Sequence, residues 1–480
     1  TCALPISPVF IESIGGDQTK HVIKTIEAYR EVAKQISEIK PEIILMISPH
    51  GPIFTDAICI YDFEQYNGDL KAFGEFTLEY KVKKSKAFIE KLMMLNAKEE
   101  GYFYPLNATQ FRKFQFEPKL DHGITVPLHF ILEALEAQTF ECVAMSYGDL
   151  SYTTLMRHGA LLSKIAEIIN KRVVLIASGD MSHALKSDGP YRLHTDGPWF
   201  DKIMCDSIKQ NQIYDVFLED EQKIANAAEC GLRSFAMLAG SLNSHDVHSS
   251  LLGYEGPFGV GYLIASFIPM QPSQVDHIAM IETTIKNKAA EQKSKAHLFV
   301  KIAWETIEAY VLTGKSPKVV WEGNTIHIND KAILIDDEKY GELLSSQRGV
   351  FVSIKKNSML RGCIGTIAPS KENVLKEIIS NAISACANDY RFDPIDVNEL
   401  MDLCVNVDVL SELEQVENTE ELDAKQFGIV VYCGMKQGVL LPDLSGVDRV
   451  EEQLKIATNK AGFHVDEIEK IDRFTVERFF

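Results

Sequence analysis

Five side chains able to do acid–base or metal chemistry stand directly after apolar runs or at the heads of apolar helices: His50, His122, Asp180, His183 and Glu229. Neutral imidazoles and a carboxylate suit a divalent cation that keeps open coordination positions, most characteristically non-haem Fe(II). A further histidine beside such a set can take or give a proton near neutral pH. Plainer roles are open for each residue. Asp180 and His183, one helical turn apart, could cap a helix. Glu229 could complement a helix dipole, and His122 could be buried and paired.

The element that must position His50 is the run Ile43 to Ile47, unbroken and apolar between Pro41 and Pro49. Such a run reads as a strand buried on both faces. Pro49 has no amide hydrogen to donate and stops it, so His50 lies beyond the strand's carboxyl end, where ligand sites of open α/β sheets gather. Upstream, Val9 to Ile11 reads as the remnant of a first strand. A Gly15-Gly16 turn comes next, then a helix capped by Asp17 or Thr19 with Val22, Ile26, Tyr29, Ala33 and Ile36 on one face. Strand, helix and parallel strand make an α/β opening. Residues 81–95 read as a lysine-rich helix, and the aromatic stretch from Tyr102 to Phe116 as core or pocket lining. A second buried strand over 172–177 delivers Asp180 and His183, residues 206–217 read as a helix, and Glu229 heads an apolar one. A glycine-rich turn and a strand over 262–268 close this half.

Residues 271–293, carrying Gln, Ser, Lys and Glu around a helix, read as a linker between domains at 8–270 and 294–480. In the second half the pattern gives helices over 297–312, 371–387 and 450–461 and strands over 349–354, 403–410 and 427–433. Residues 359–365 read as a compact turn.

A formal net charge of -19 argues against nucleic acid or an anionic membrane as partner. Nine cysteines with no CxxC pair suggest neither a disulfide framework nor a zinc knuckle, and fit a reducing cytoplasm. No apolar run approaches the roughly 20 residues of a membrane span. Thr1 to Ser7 is what a common sequencing adapter encodes when read in frame, so these residues read as non-native in front of Pro8.

Four segments occur in an order that resembles the LigB-type class III extradiol dioxygenases: Pro49-His50-Gly51, Asp121-His122-Gly123 with Val126-Pro127-Leu128, Ser178-Gly179-Asp180-Met181-Ser182-His183, and Glu229-Cys230-Gly231. The resemblance implies a mixed α/β sheet domain that opens a catecholic or related aromatic ring with dioxygen, using Fe(II). It implies His50 and Glu229 as two of three iron ligands and His183, in a motif with Asp180, as catalytic acid/base. His122 becomes a second pocket histidine that contacts substrate or dioxygen. The family's first ligand is the histidine of an N-terminal Pro-His-Pro, and here Ile6 or Ser7 stands in its place. The same fold is similar to the Memo-type proteins, in which a cysteine replaces the carboxylate ligand. That alternative makes Cys230 a ligand for iron, copper or zinc, in a modification or maturation pathway with a radical-SAM partner protein and without ring opening.

Leu360-Arg361-Gly362-Cys363-Ile364-Gly365 matches the hallmark hexapeptide of the AMMECR-type domain. Tyr390-Arg391-Phe392-x-Pro394-Ile395, Gly438 to Pro442 and Val450 to Leu454 also match, at fitting spacing. This resemblance implies an α+β domain over 294–480 whose activity is unresolved, with Arg361, Gly362, Cys363 and Gly365 as its motif residues. Cys363 could be a nucleophile whose thiol Arg361 acidifies, or a small residue filling a tight turn.

Overall fold

The computed structural model describes the chain except residues 100, 136–137, 357–358, 445–446 and 448. The chain forms two compact units, Thr1–Thr284 and Ile285–Phe480. Among the described residues no helix is long and apolar enough to cross a membrane.

Unit 1 is built on strands β1 (Cys2–Leu4), β2 (Ile43–Ser48), β3 (Glu141–Ser146), β4 (Val173–Ser178), β5 (His245–Glu255) and β6 (Tyr262–Pro272), with helices α1 (Ile23–Ile39), α2 (His122–Leu135) and α3 (Leu232–Ser241). They belong to a ten-stranded sheet whose centre runs β3-β2-β4-β1-β6-β5. The first four are mutually parallel, and β6 and β5 close the edge antiparallel. Every residue of β2 is buried, as its unbroken apolar run requires. Ile44 and Met46 share one core with Tyr29 and Ile36 of α1 and Leu128 and Ile131 of α2.

Several expected elements differ. Val9 belongs to a 3-10 turn, Pro8–Phe10, and the first strand lies before it as β1. Pro8 has no N–H for a ladder, whereas its fixed φ suits a first helical position. Asp17 and Thr19 fall in a second 3-10 turn, and α1 starts at Ile23 without a side-chain cap. The stretch over 81–95 divides into a strand, Glu75–Lys84, and a helix, Lys86–Lys98. The helix expected over 206–217 is Asp196–Lys209 followed by a 3-10 turn, Asp215–Leu218. Asn211 breaks it, with φ at 56° in the left-handed region.

Unit 2 takes in the latter part of α4 (His277–Lys295), then α5 (Leu298–Thr313), β7 (Lys331–Leu334), β8 (Val350–Lys356), β9 (Met359–Thr366), α6 (Val374–Ala387), β10 (Leu403–Leu410) and β11 (Val476–Phe479). An antiparallel sheet ordered β9-β8-β10-β11 packs Val350, Val352 and Ile354 against Phe299 and Ile302 of α5 and Ile378 of α6. A second four-stranded sheet and a three-stranded meander complete an α+β unit.

The hexapeptide is therefore not a turn but most of β9, an edge strand. Its glycines serve packing. A Cβ on Gly362 would lie 2.1 Å from the carbonyl oxygen of Ala385 in α6, and one on Gly365 would meet the Phe351 ring at 2.2 Å. Glycine in a strand often marks such a close approach.

Candidate active site

Strands β1, β4 and β2 end side by side. Leu4 pairs with Ser178 and Ile47 with Ala177, so Ile6, Asp180 to His183 and His50 leave the sheet along one edge. β2 lies between β3 and β4, which chain order places on opposite sides of it. That arrangement opens a crevice beyond the strand ends of an α/β sheet.

Within that crevice His50 and His122 face each other with ring centres 4.0 Å apart and planes 32° from parallel. Asp121 holds the arrangement. One carboxylate oxygen accepts from Tyr61 Oη at 2.8 Å and the other from Ser48 Oγ and, at 2.9 Å, the amide of Gly123. Ser48 Oγ in turn accepts the His50 amide at 3.1 Å. Burial lowers the pKa of His50, opposed by the charge of Asp121. Burial and then the neighbouring His50 bring His122 down to about 4. Both imidazoles are accordingly neutral near pH 7.

The segment after β4 is not helical, so Asp180 and His183 are not neighbours on a helical turn. Asp180 accepts the amide of Ile6 at 2.8 Å, and its burial pushes its pKa up to about 7. His183 places Nδ1 2.7 Å from the carbonyl oxygen of Ala228. A carbonyl only accepts, so Nδ1 carries the proton and Nε2 the lone pair. Burial lowers its pKa too, and the proximity of His50 adds to this. Gly179 (φ 151°) permits the contact between this segment and the next loop: a Cβ there would stand 2.4 Å from Gly231 Cα.

That next loop carries Glu229 and Cys230. Glu229 accepts the amide of Leu232 at 2.6 Å, the geometry of a carboxylate at the head of α3. Burial raises its pKa, offset by that bond and by Arg233. Cys230 turns its thiol to the backbone of Asp180, with Sγ 3.2 Å from the amide nitrogen and 3.7 Å from the carbonyl oxygen.

The donors do not make up a three-ligand metal site. Among the described residues no three His, Cys, Asp or Glu side chains are grouped to hold a metal ion. Ile6, whose amide is held by Asp180 at this sheet edge, is buried and apolar.

Two exposed aromatic rings flank the histidines. Phe73 stands edge-on to His122 at 5.1 Å and Tyr191 edge-on to His183 at 5.7 Å. Neither ring was evident from the sequence, nor were Ser48 and Tyr61, and Asp121 stood in its motif without a role. A carboxylate directly before a candidate histidine was the available signal for Asp121. From the aromatic stretch over 102–116, Phe103 and Phe111 are core, whereas Phe114 is exposed and packs on Phe54.

In unit 2 the β9 motif is a clasp. Arg361 donates to Glu399 at 3.0 and 2.8 Å and to the carbonyl oxygens of Asp393 and Pro394. The Cys363 amide donates to Asp389 at 2.8 Å, and Arg391 donates to the Cys363 carbonyl at 3.0 Å. These side chains cover the outward backbone groups of the edge strand at that residue. The Cys363 thiol meets Ser353 Oγ at 3.3 Å on the paired strand.

Comparison with known proteins matches residues 2–265 to the catalytic LigB subunit of aromatic ring-opening dioxygenase and residues 300–479 to AMMECR1. Protein CA_C1420 of Clostridium acetobutylicum is 35% identical over 475 residues, covering 99% of this chain and 97% of its own. A Thermotoga maritima protein is 44% identical over 38% of this chain and 97% of its own length. The crystal structure of uncharacterized protein PH0010 from Pyrococcus horikoshii aligns with 39% of this chain and 91% of its own, at 27% identity and a TM-score of 0.32. The chain belongs to the family of the catalytic LigB subunit of aromatic ring-opening dioxygenases, joined to an AMMECR1 domain.

Proposed function

We propose that unit 1 is an extradiol-dioxygenase-like oxidoreductase for a catecholic or related small aromatic substrate, with Fe(II) as its metal when a histidine stands at position 6 or 7. The observation that carries this reading is the gathering of three histidines beyond the parallel strand ends, His50 exposed and His122 and His183 half-buried, with His183 presenting Nε2 as a base. His183 takes a proton from a phenolic hydroxyl. His122, kept neutral by desolvation and by the neighbouring His50 against the charge of Asp121, offers a ring nitrogen to the substrate. Phe73 and Tyr191 suit a planar aromatic body entering between them. His50 and Glu229 are the donors this chain brings to the metal. The Memo-like reading needs Cys230 as donor in place of Glu229, and its thiol is already turned to the Asp180 amide. The nine free thiols suit a reducing cytoplasm.

Iron content after anaerobic Fe(II) reconstitution tests the assignment, on the parent chain, Ile6→His, Ser7→His, and each of these variants with Glu229→Ala. Stoichiometric iron in Ile6→His or Ser7→His, lost with Glu229→Ala and accompanied by catechol cleavage, supports it. Iron retained without Glu229 favours Cys230 and the Memo-like reading, and no iron in either Ile6→His or Ser7→His sinks the Fe(II) assignment.

A further inference from the structure

Unit 2 contains a cavity of about 850 Å³ walled by α4, α5, β7 and the turn Val397–Asp402, in the size range of small-ligand sites. Helix α5 is two-sided. Phe299, Ile302 and Ile307 enter the core, while Lys301, Trp304, Glu308 and Leu312 line the cavity at the spacing that puts residues on one helix face. The opposite walls carry aliphatic Ala290, Ile333, Leu400 and Met401 beside Lys293 and Lys331. Leu312 is 56% exposed and Met401 63%, so apolar surface at this cavity stands in water and a bound apolar body would remove it.

The charges select the ligand's polar end. Lys293 pairs with Glu308 at 2.7 Å, and Lys331 pairs with Glu305 at 2.5 Å and Glu308 at 3.4 Å. Both glutamates are thereby committed. Lys301, half-buried on the same helix face, has no acidic group within ion-pair distance among the described residues. The Lys293 ammonium lies 4.9 Å from the centre of the Trp304 ring, which takes one face of that ring from stacking. An aliphatic tail therefore fits better than a flat aromatic one.

We propose that this cavity binds a medium-chain aliphatic carboxylate, its chain along Leu312, Leu400 and Met401 and its carboxylate on Lys301. Calorimetric titration of the full chain with decanoate, and with decanol as the neutral control, tests it. Expected is saturable one-to-one binding of decanoate. Decanol with the parent chain, and decanoate with Lys301→Gln, are each weaker by at least about ten-fold, the worth of one charge-assisted hydrogen bond. Lys301→Arg restores binding, and Ala290→Phe, which projects a ring from the cavity wall into the path of the chain, weakens it. Circular dichroism and thermal melting of each variant control for folding. Absence of saturable decanoate binding, decanol binding equal to decanoate, or unchanged affinity in a folded Lys301→Gln each overturns the proposal.

Discussion

His50 and His122 hold their rings 4.0 Å apart over a single shared carboxylate, Asp121, whose negative charge favours protonation of both rings. Burial opposes it and wins, lowering the pKa of both rings from the ordinary histidine value. Histidine-selective NMR titration should find His122 unprotonated down to about pH 5, with its midpoint near the value of about 4. In Asp121→Asn the His50 midpoint should move lower still. A His122 midpoint at or above the unperturbed value of about 6.5 would refute this account of the pair.

Much of this site was legible because a parallel sheet writes its strands as unbroken apolar runs, and the residues just past each run line the crevice. Ile43 to Ile47 and residues 172–177 led in this way to His50 and to Asp180 and His183. The hexapeptide was misread as a turn because glycine has the same local appearance in a turn and in a closely packed strand. Only Phe351 and Ala385, outside the motif, distinguish the two. Asp201 was invisible for a similar reason. Its partners, the Ser182 amide and the Tyr254 hydroxyl, lie 19 and 53 residues away.

Asp201 bears a pH-dependent part of unit 1's stability. Burial pushes its pKa up to about 7, against hydrogen bonds from Tyr254 and Ser182. A carboxyl raised on folding binds its proton more tightly folded than unfolded, so its stabilising contribution is complete below about pH 4 and lost as pH rises toward 7. Asp201→Asn keeps the shape and removes the titration. Scanning calorimetry at pH 5 and pH 8 should show the variant gaining on the parent at the higher pH by more than about 2 °C, which corresponds to roughly 1 kcal/mol in a unit of this size. Parallel pH dependence in the two proteins would exclude the assignment.

Glu399 predicts the opposite pH trend in unit 2. Burial alone would raise its pKa, but hydrogen bonds from Arg361, the Asp396 amide and Lys356 outweigh it and hold the group at about 2. A carboxylate depressed on folding stabilises above its unfolded pKa, and that stability disappears as pH falls toward the folded value. Glu399→Gln should therefore cost about 1.5–3 kcal/mol at pH 7, the range for hydrogen bonds to charged groups. By pH 3 the difference should be markedly smaller. Urea unfolding followed by tryptophan emission reports it, since Trp304 and Trp321 both lie in unit 2. A cost that does not change with pH would mean that shape, not charge, makes the clasp.

The two motif glycines should differ in their tolerance of alanine. At Gly362 the added methyl would run into the backbone oxygen of Ala385, at 2.1 Å, and α6 would have to lift from β9. At Gly365 the obstacle is the Phe351 ring, at 2.2 Å, a partly buried side chain able to turn about its own χ angles. Overpacking of this kind costs about 1–3 kcal/mol, and Gly362→Ala belongs at the top of that range or above it, Gly365→Ala toward the bottom. The same urea experiment ranks them. If Gly365→Ala were the more destabilising, the Phe351 ring would be fixed more firmly than the helix, and the helix–strand contact could not be what the motif's first glycine serves. The ranking also bears on Cys363, which sits between them. If Gly362→Ala unfolds unit 2 while Cys363→Ser leaves its stability within about 0.5 kcal/mol, the range of an inconsequential substitution, the thiol is not retained for packing.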